Sequence, residues 1–152
     1  TYLSVPGLVI HAGCQIKFED FEWSGVYKLD PYPVVDGATR FTKDMYIPGT
    51  FHCLSFHIRK VLAIGKGGMI LTDDKEAADW FRRARYEGRN NREAHDSIDD
   101  IWILGWNYYM PPEQAGYGIE LFDKLPEKND DTGGSWKYKD LSSYTAWNGS
   151  VV

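Results

Sequence analysis

Three short apolar runs constrain this chain more than any other feature. They are Pro33-Val34-Val35-Asp36, Cys53-Leu54-Ser55-Phe56 and Gly67-Gly68-Met69-Ile70-Leu71-Thr72. Each is too short for a helix and is bounded by an acid, a glycine or another turn residue, so each reads as a short strand, and Pro33–Asp36 as a buried one. Between and after them lie stretches with helical spacing. Asp73-Asp74-Lys75-Glu76 looks like a capping box, with an acid three residues before Glu76. Ala77, Ala78, Phe81 and Ala84 follow at helical intervals, Arg82, Arg83 and Arg85 sit where a helix C-terminus favours cations, and Gly88 is a plausible stop. A second helix starts at Pro111-Pro112-Glu113 and runs to about Leu125. Near the start, Leu3 to Phe18 reads as a helical turn or short helix followed by a strand over Gln15–Phe18. Asn90–Asp100 reads as a polar loop, and the tail beyond Pro126 has no clear period. The pattern predicts an α/β fold with a mixed, mostly parallel sheet flanked by helices.

Composition narrows the function classes. A net charge of −5 argues against a general nucleic-acid binder, which needs a basic face to displace counterions. The two cysteines, Cys14 and Cys53, are too few for a disulfide scaffold or a four-cysteine zinc site, and suit reduced thiols in the cytoplasm. No apolar run is long enough to cross a bilayer, so no membrane partner is expected. His52 and His57 do not form a metal-binding pattern, and no metal is expected. The run Gly65-Lys66-Gly67-Gly68 is not a P-loop, because no Gly-Lys-Ser/Thr follows. No G-x-S-x-G elbow is present.

Three stretches carry chemistry. Lys60 follows the strand ending near Phe56 and precedes a glycine-rich turn. A lysine confined there would lose solvent, and its neutral amine could attack an aldehyde. Ser55 offers a hydroxyl to a phosphate oxygen. Asp36 ends a buried strand and could pair with a pyridinium nitrogen. Asn107, among the aromatics of Gly105–Met110, could donate to a phosphate. Each has a commoner explanation when taken alone: a solvated lysine, a turn aspartate, a packed aromatic corner.

Taken together, the stretches resemble the DegT/DnrJ/EryC1 family of fold-type I sugar aminotransferases, in four segments and in order. Thr1-Tyr2-Leu3-Ser4 with His11-Ala12-Gly13-Cys14 through Phe18-Glu19-Asp20 resembles T-aromatic-x-[AS]…AG…F-x-D. Pro33 to Ala38 resembles V-I-E-D-A-A. Ser55 to Lys60 with Gly65 to Asp73 resembles S-F-H-x-x-K…GEGG…TD, the most specific of the four. Gly105 to Ala115 with Gly118 resembles G-x-N-x-R-M…Q-A-x-x-G.

The resemblance implies a pyridoxal 5'-phosphate enzyme that moves an amino group from glutamate to a nucleotide-linked keto sugar. Lys60 matches the Schiff-base lysine, Asp36 the partner of the pyridine nitrogen, Ser55 a phosphate ligand and Tyr2 the aromatic that stacks on the cofactor. Asn107 matches a residue reaching the cofactor phosphate of a neighbouring subunit, which implies a homodimer. Thr39 stands where the family usually has glutamine or histidine and is counted with the cofactor-binding set. Tyr109 replaces the usual arginine, and Lys66 the glutamate of the GEGG run. Lysine at position 60 favours transamination over the dehydration of relatives that carry histidine there. On this reading residues 1–125 are part of a cofactor-binding large domain and 126–152 a tail. An upstream Gly-Thr phosphate loop and a downstream small domain are expected to be missing. The rival expectation is a non-catalytic remnant of the fold, without bound cofactor, that serves as a binding or assembly module.

Overall fold

The computed structural model describes residues 1–90, 92–94 and 100–147. The elements run α1 (Ser4–His11), β1 (Tyr27–Lys28), β2 (Val34–Asp36), β3 (Phe51–Ser55), β4 (Gly68–Leu71), α2 (Lys75–Ala84) and α3 (Pro112–Phe122), then short 3-10 turns at Ser135–Lys137 and Thr145–Trp147. The four strands form one sheet in the order β1-β2-β3-β4. β2 and β3 are parallel, whereas β1 with β2 and β3 with β4 are antiparallel. The sheet is therefore mixed and carries helices, as expected. Its balance differs from the expected mostly parallel sheet, because hairpin-like returns flank a single parallel pair on both sides.

Register sorts the side chains into two faces, since neighbours across a ladder share a face and residues along a strand alternate. One row is Tyr27, Asp36, Cys53 and Ile70, and Ser55 lies farther along the same face of β3. The opposite face carries the row Lys28, Val35, His52 and Leu71. The packed core forms on that second face. Leu54, Phe56, Leu62 and Ile64 are buried together, with Phe41, Met45, Leu71, Met110, Leu121 and Leu125 against them. Phe41 links sheet and helix, edge-on to Phe56 at 6.2 Å and to Phe122 of α3 at 6.0 Å. α2 meets the sheet through Phe81, whose ring lies edge-on to Phe51 at 5.6 Å.

Local chemistry explains the helix ends, with one shift. The N-cap of α2 is Asp74, whose carboxylate accepts the Ala77 N–H at 3.0 Å. Asp73, the acid expected to open a capping box, instead accepts the Gly49 N–H at 3.0 Å and ties β4 to the loop before β3. Gly88 has φ +86°, and its N–H returns to the Arg83 carbonyl, which stops the chain's helical course just after α2. The strand expected over Gln15–Phe18 does not form: that stretch has no ladder partner among the described residues, and apolar pattern without a partner makes no strand. β1 was not expected at all. Its two residues are too few to show an alternation. Of the predicted loop, residue 91 and residues 95–99 lie outside the described residues, as do 148–152 of the tail.

The described tail is pinned rather than loose. The Arg40 guanidinium grips Asp131 through two bonds of 2.8 and 2.7 Å. Gly25 N–H donates to the Gly133 carbonyl at 3.0 Å, Ser135 N–H to the Trp23 carbonyl at 3.0 Å, and Thr132 N–H to the Thr39 carbonyl at 2.8 Å. These bonds lay residues 131–138 across the loop 23–25 and the turn after β2.

Gly37 and His52 form a coupled pair on the core face. His52 is fully buried, and neither ring nitrogen has a hydrogen-bond partner among the described residues. A Cβ on Gly37 would stand 2.7 Å from His52 Cδ2 and inside contact with Nε2. Glycine therefore replaces the first alanine of the V-I-E-D-A-A pattern because the histidine ring occupies that space. Gly37→Ala should lower unfolding stability by about 2 kcal/mol, the usual scale for overpacking, and most of that loss should vanish in a His52→Ala background. Urea unfolding of the two single variants and the double variant measures the coupling. Burial, then Arg40, hold the His52 pKa below its ordinary value, with Asp36 opposing. The folded state thus binds fewer protons than the unfolded one, so this contribution is complete above about pH 6.5 and is lost as pH falls below it. His52→Leu should flatten that slope in the same unfolding series.

Candidate functional site

The parallel pairing of β2 with β3 sends both strands' carboxyl ends to one edge of the sheet. Asp36 closes β2 and Ser55 closes β3, on the same face. Ligands in open α/β sheets bind outside such ends, where the diverging chains leave a crevice. The chain then turns through His57–Lys60, with the Lys60 N–H donating to the His57 carbonyl at 2.8 Å. It returns to β4 through Gly65 and Gly67, both at positive φ, where a side chain would be strained. Gln114 of α3 clamps this return by donating to the Ile64 and Lys66 carbonyls at 2.8 and 2.7 Å.

Lys60 is half-buried. Burial pushes its pKa down, Asp36 pulls it back up, and Lys137 pushes it down again. Lys60 is thus electrostatically coupled to Asp36, at the end of a different strand, and to Lys137, from the pinned tail. An amine held below the ordinary lysine value has a larger neutral, nucleophilic fraction near neutral pH. Ser55 Oγ accepts the His57 N–H at 3.3 Å, which leaves its own proton to donate elsewhere.

Asp36 is gripped from two sides. Its Oδ1 accepts the Ala38 N–H at 2.8 Å, and its Oδ2 accepts the Tyr27 hydroxyl at 2.6 Å. Burial and the Asp36 charge drive the Tyr27 pKa far above its ordinary value, so the phenol keeps its proton. The Tyr27 hydroxyl also hydrogen-bonds Thr1 Oγ1. Trp23 packs on Tyr27 at 4.6 Å and stacks on Tyr138 at 5.7 Å. Burial and then Asp36 push the Tyr138 pKa up, with Tyr2 adding to the effect. Burial and Asp36 likewise raise the Cys53 thiol to about 11, so it stays protonated and unreactive.

The other sequence-derived candidates lie as follows. Tyr2 is 63% exposed on the turn before α1. Thr39 is buried, its hydroxyl 3.0 Å from both the Gly25 and Gly133 carbonyls. That hydroxyl joins the tail to the turn after β2. Asn107 lies beyond α2, bridged to Tyr86, with its amide donating to Glu87 at 2.8 Å. Within one chain, then, Asp36, Ser55 and Lys60 gather at one sheet edge. Thr39 and Asn107 spend their polar groups elsewhere. Tyr27, Tyr138 and Lys137 were missed, since only the tertiary structure brings the two tyrosines to Asp36 and Lys137 to Lys60, and no spacing in the sequence signals it.

The donor set fits a phosphorylated pyridine aldehyde. It combines an amine of lowered basicity, a carboxylate for a ring nitrogen and a hydroxyl with a proton to give. Among the described residues no cluster of His, Cys, Asp or Glu could hold a metal ion, and no helix is long and apolar enough to cross a membrane.

The electrostatics predict a specific reactivity order. Lys60 should acylate at lower pH than the exposed Lys75 when peptides are quantified by mass spectrometry across a pH series. Asp36→Asn should move that profile further down by removing the attraction that favours the ammonium. Lys137→Met should move it up by removing a repulsion.

Comparisons with known proteins place the chain in a family. Residues 37–138 match the model of the DegT/DnrJ/EryC1/StrS aminotransferase family. The chain is 31% identical over 93 residues to GDP-perosamine synthase of Caulobacter vibrioides, covering 60% of this chain and 24% of that protein. It is 32% identical over 75 residues to the spore coat polysaccharide biosynthesis protein SpsC of Bacillus subtilis, covering 49% of this chain and 18% of that one. A solved structure named as a PLP-dependent aminotransferase from Bacillus cereus aligns over 82% of this chain and 29% of its own, at 21% identity and a TM-score of 0.48. The chain spans about a quarter or less of the length of the curated relatives it matches.

Proposed function

The chain belongs to the DegT/DnrJ/EryC1/StrS aminotransferase family, and from that premise we propose that it carries the lysine-bearing part of a pyridoxal 5'-phosphate aminotransferase acting on a nucleotide-linked keto sugar with glutamate as donor. The observation that carries the proposal is that Asp36 and Ser55 close the carboxyl ends of the β2–β3 pair on one face, with Lys60 in the turn that follows β3 and within electrostatic reach of Asp36. The bound cofactor would supply an electron sink for the carbon that loses or gains a proton.

The chain's own residues divide the remaining work. Lys60 would hold the aldehyde through its neutral amine and, when that amine is free, would move the proton to or from the substrate carbon. Asp36 would hold the pyridine nitrogen in its protonated form. Ser55 would donate its hydroxyl proton to a phosphate oxygen. Gly67 allows the chain to pass close to that group, and the aromatic rings of Trp23, Tyr27 and Tyr138 limit water beside Asp36. Tyr2 lies within electrostatic reach of Tyr138, itself within reach of Asp36, and from there it would stack on a planar ring. Asn107, turned onto Glu87, would act on a neighbouring subunit's site in a homodimer. Free Cys14 and Cys53 suit the reducing cytoplasm in which we place the protein. The names of the two curated relatives, a GDP-perosamine synthase and a spore coat polysaccharide biosynthesis protein, favour a sugar acceptor.

A second reading has specific support. The Thr39 hydroxyl is spent on backbone carbonyls, and the Asn107 amide on Glu87. Both suit a non-catalytic module that keeps the fold for binding or assembly.

One experiment separates the two. Incubation with pyridoxal 5'-phosphate, borohydride reduction and peptide mapping should place a phosphopyridoxyl group on Lys60, and Lys60→Ala should lose it. Added glutamate should then convert the cofactor to its amine form, read as released 2-oxoglutarate. Label on Lys60 without 2-oxoglutarate would favour the module. Label spread evenly over surface lysines would overturn the proposed site.

A further inference from the structure

We propose that Tyr27 is a positioning residue for Asp36, holding its carboxylate in the orientation that meets the cofactor's ring nitrogen. The proposal rests on the cofactor reading above and adds a residue that no family motif singles out.

The geometry begins with register. Tyr27 stands directly opposite Asp36 in the β1–β2 ladder, so both side chains leave the same face of the sheet. Partners so placed have Cβ atoms roughly 5 Å apart, close enough for a phenol to reach a carboxylate. The resulting bond to Oδ2 is 2.6 Å, in the short range of hydroxyl-to-carboxylate bonds. The Ala38 N–H holds the other oxygen at 2.8 Å. One donor on each oxygen stops the carboxylate from turning about its Cβ–Cγ bond. Each oxygen keeps a second lone pair, so a further donor still has a place to bind.

Tyr27 is itself fixed. A carboxylate can only accept here, so the single phenol proton goes to Asp36. Thr1 Oγ1 must then be the donor in its bond with the Tyr27 oxygen. The ring rests on Trp23 at 4.6 Å, and Trp23 rests on Tyr138 at 5.7 Å with planes 23° apart. Tyr138 belongs to the segment pinned by Arg40–Asp131 and by Ser135–Trp23. The orientation of Asp36 is thus set through a chain of contacts that ends in the tail. This is a positioning role: Tyr27 touches Asp36 and is not required to touch the cofactor.

The test compares two aldehydes. Pyridoxal 5'-phosphate has the ring nitrogen that Asp36 would hold, and its 1-deaza analogue has a carbon in that place. Tyr27→Phe keeps the ring on Trp23 and removes only the hydroxyl. It should weaken binding of pyridoxal 5'-phosphate on the order of tenfold, the scale of a hydrogen bond to a charged group, and leave the deaza analogue's affinity unchanged. In an Asp36→Asn background the same substitution should have no selective effect. A general loosening of the site would weaken both aldehydes alike, and that result overturns the assignment. Thr1→Val is the milder companion should Tyr27→Phe unfold: a smaller selective loss supports the proposal, and equal affinities overturn it. Failure of the unmodified chain to take label on Lys60 would overturn the cofactor reading and this proposal together. Label on Lys60 with no selectivity in Tyr27→Phe would overturn this proposal alone.

Discussion

Everything at the site follows from β2 and β3 lying parallel, with Asp36 opposite Cys53. Parallel pairing needs a crossover, and residues 37–50 supply it. That crossover carries Thr39, Arg40 and Phe41 onto three different jobs: a hinge to the tail, a grip on Asp131, and a wedge into the core. Had the two strands been antiparallel, Asp36 and Ser55 would close opposite edges of the sheet, and Lys60 could not share a site with Asp36.

The two faces of the sheet divide labour accordingly. The core face gathers Leu54, Phe56, Leu62 and Ile64 and buries His52 with no hydrogen-bond partner for its nitrogens among the described residues. Such a group is costly when charged, and Gly37 gives way sterically to hold it. The site face carries the polar row that begins with Tyr27 and Asp36. The small cluster on one face therefore anchors strands whose other face carries the candidate site. Residues 131–138 close the arrangement from outside, through the bidentate Arg40–Asp131 pair and the shared carbonyls around Thr39.

Legibility varied by element for physical reasons. β2, β3 and β4 were readable because apolar runs bounded by turn residues have few alternatives. α3 was readable because Pro112 and Glu113 mark its first turn. The cap of α2 fell one residue late, on Asp74, because Asp73 is claimed by the Gly49 N–H twenty-four residues away. Gln15–Phe18 carried strand-like residues but found no partner. β1 was invisible because two residues hold no period, and the pairing with β2 alone makes it a strand.

The site shows the same division. The sequence by itself determined which groups are available and in what order: an acid ending one strand, a hydroxyl ending the next, and a lysine five residues on before a glycine turn. Those are local matters of residue type and spacing. The tertiary structure alone decided what each polar group does. It set Tyr27 against Asp36, brought Lys137 close enough to depress Lys60, spent Thr39 on two carbonyls and turned Asn107 onto Glu87. A hydrogen bond needs its partner within about 3 Å, and for these groups the partner lies up to ninety-four residues away along the chain.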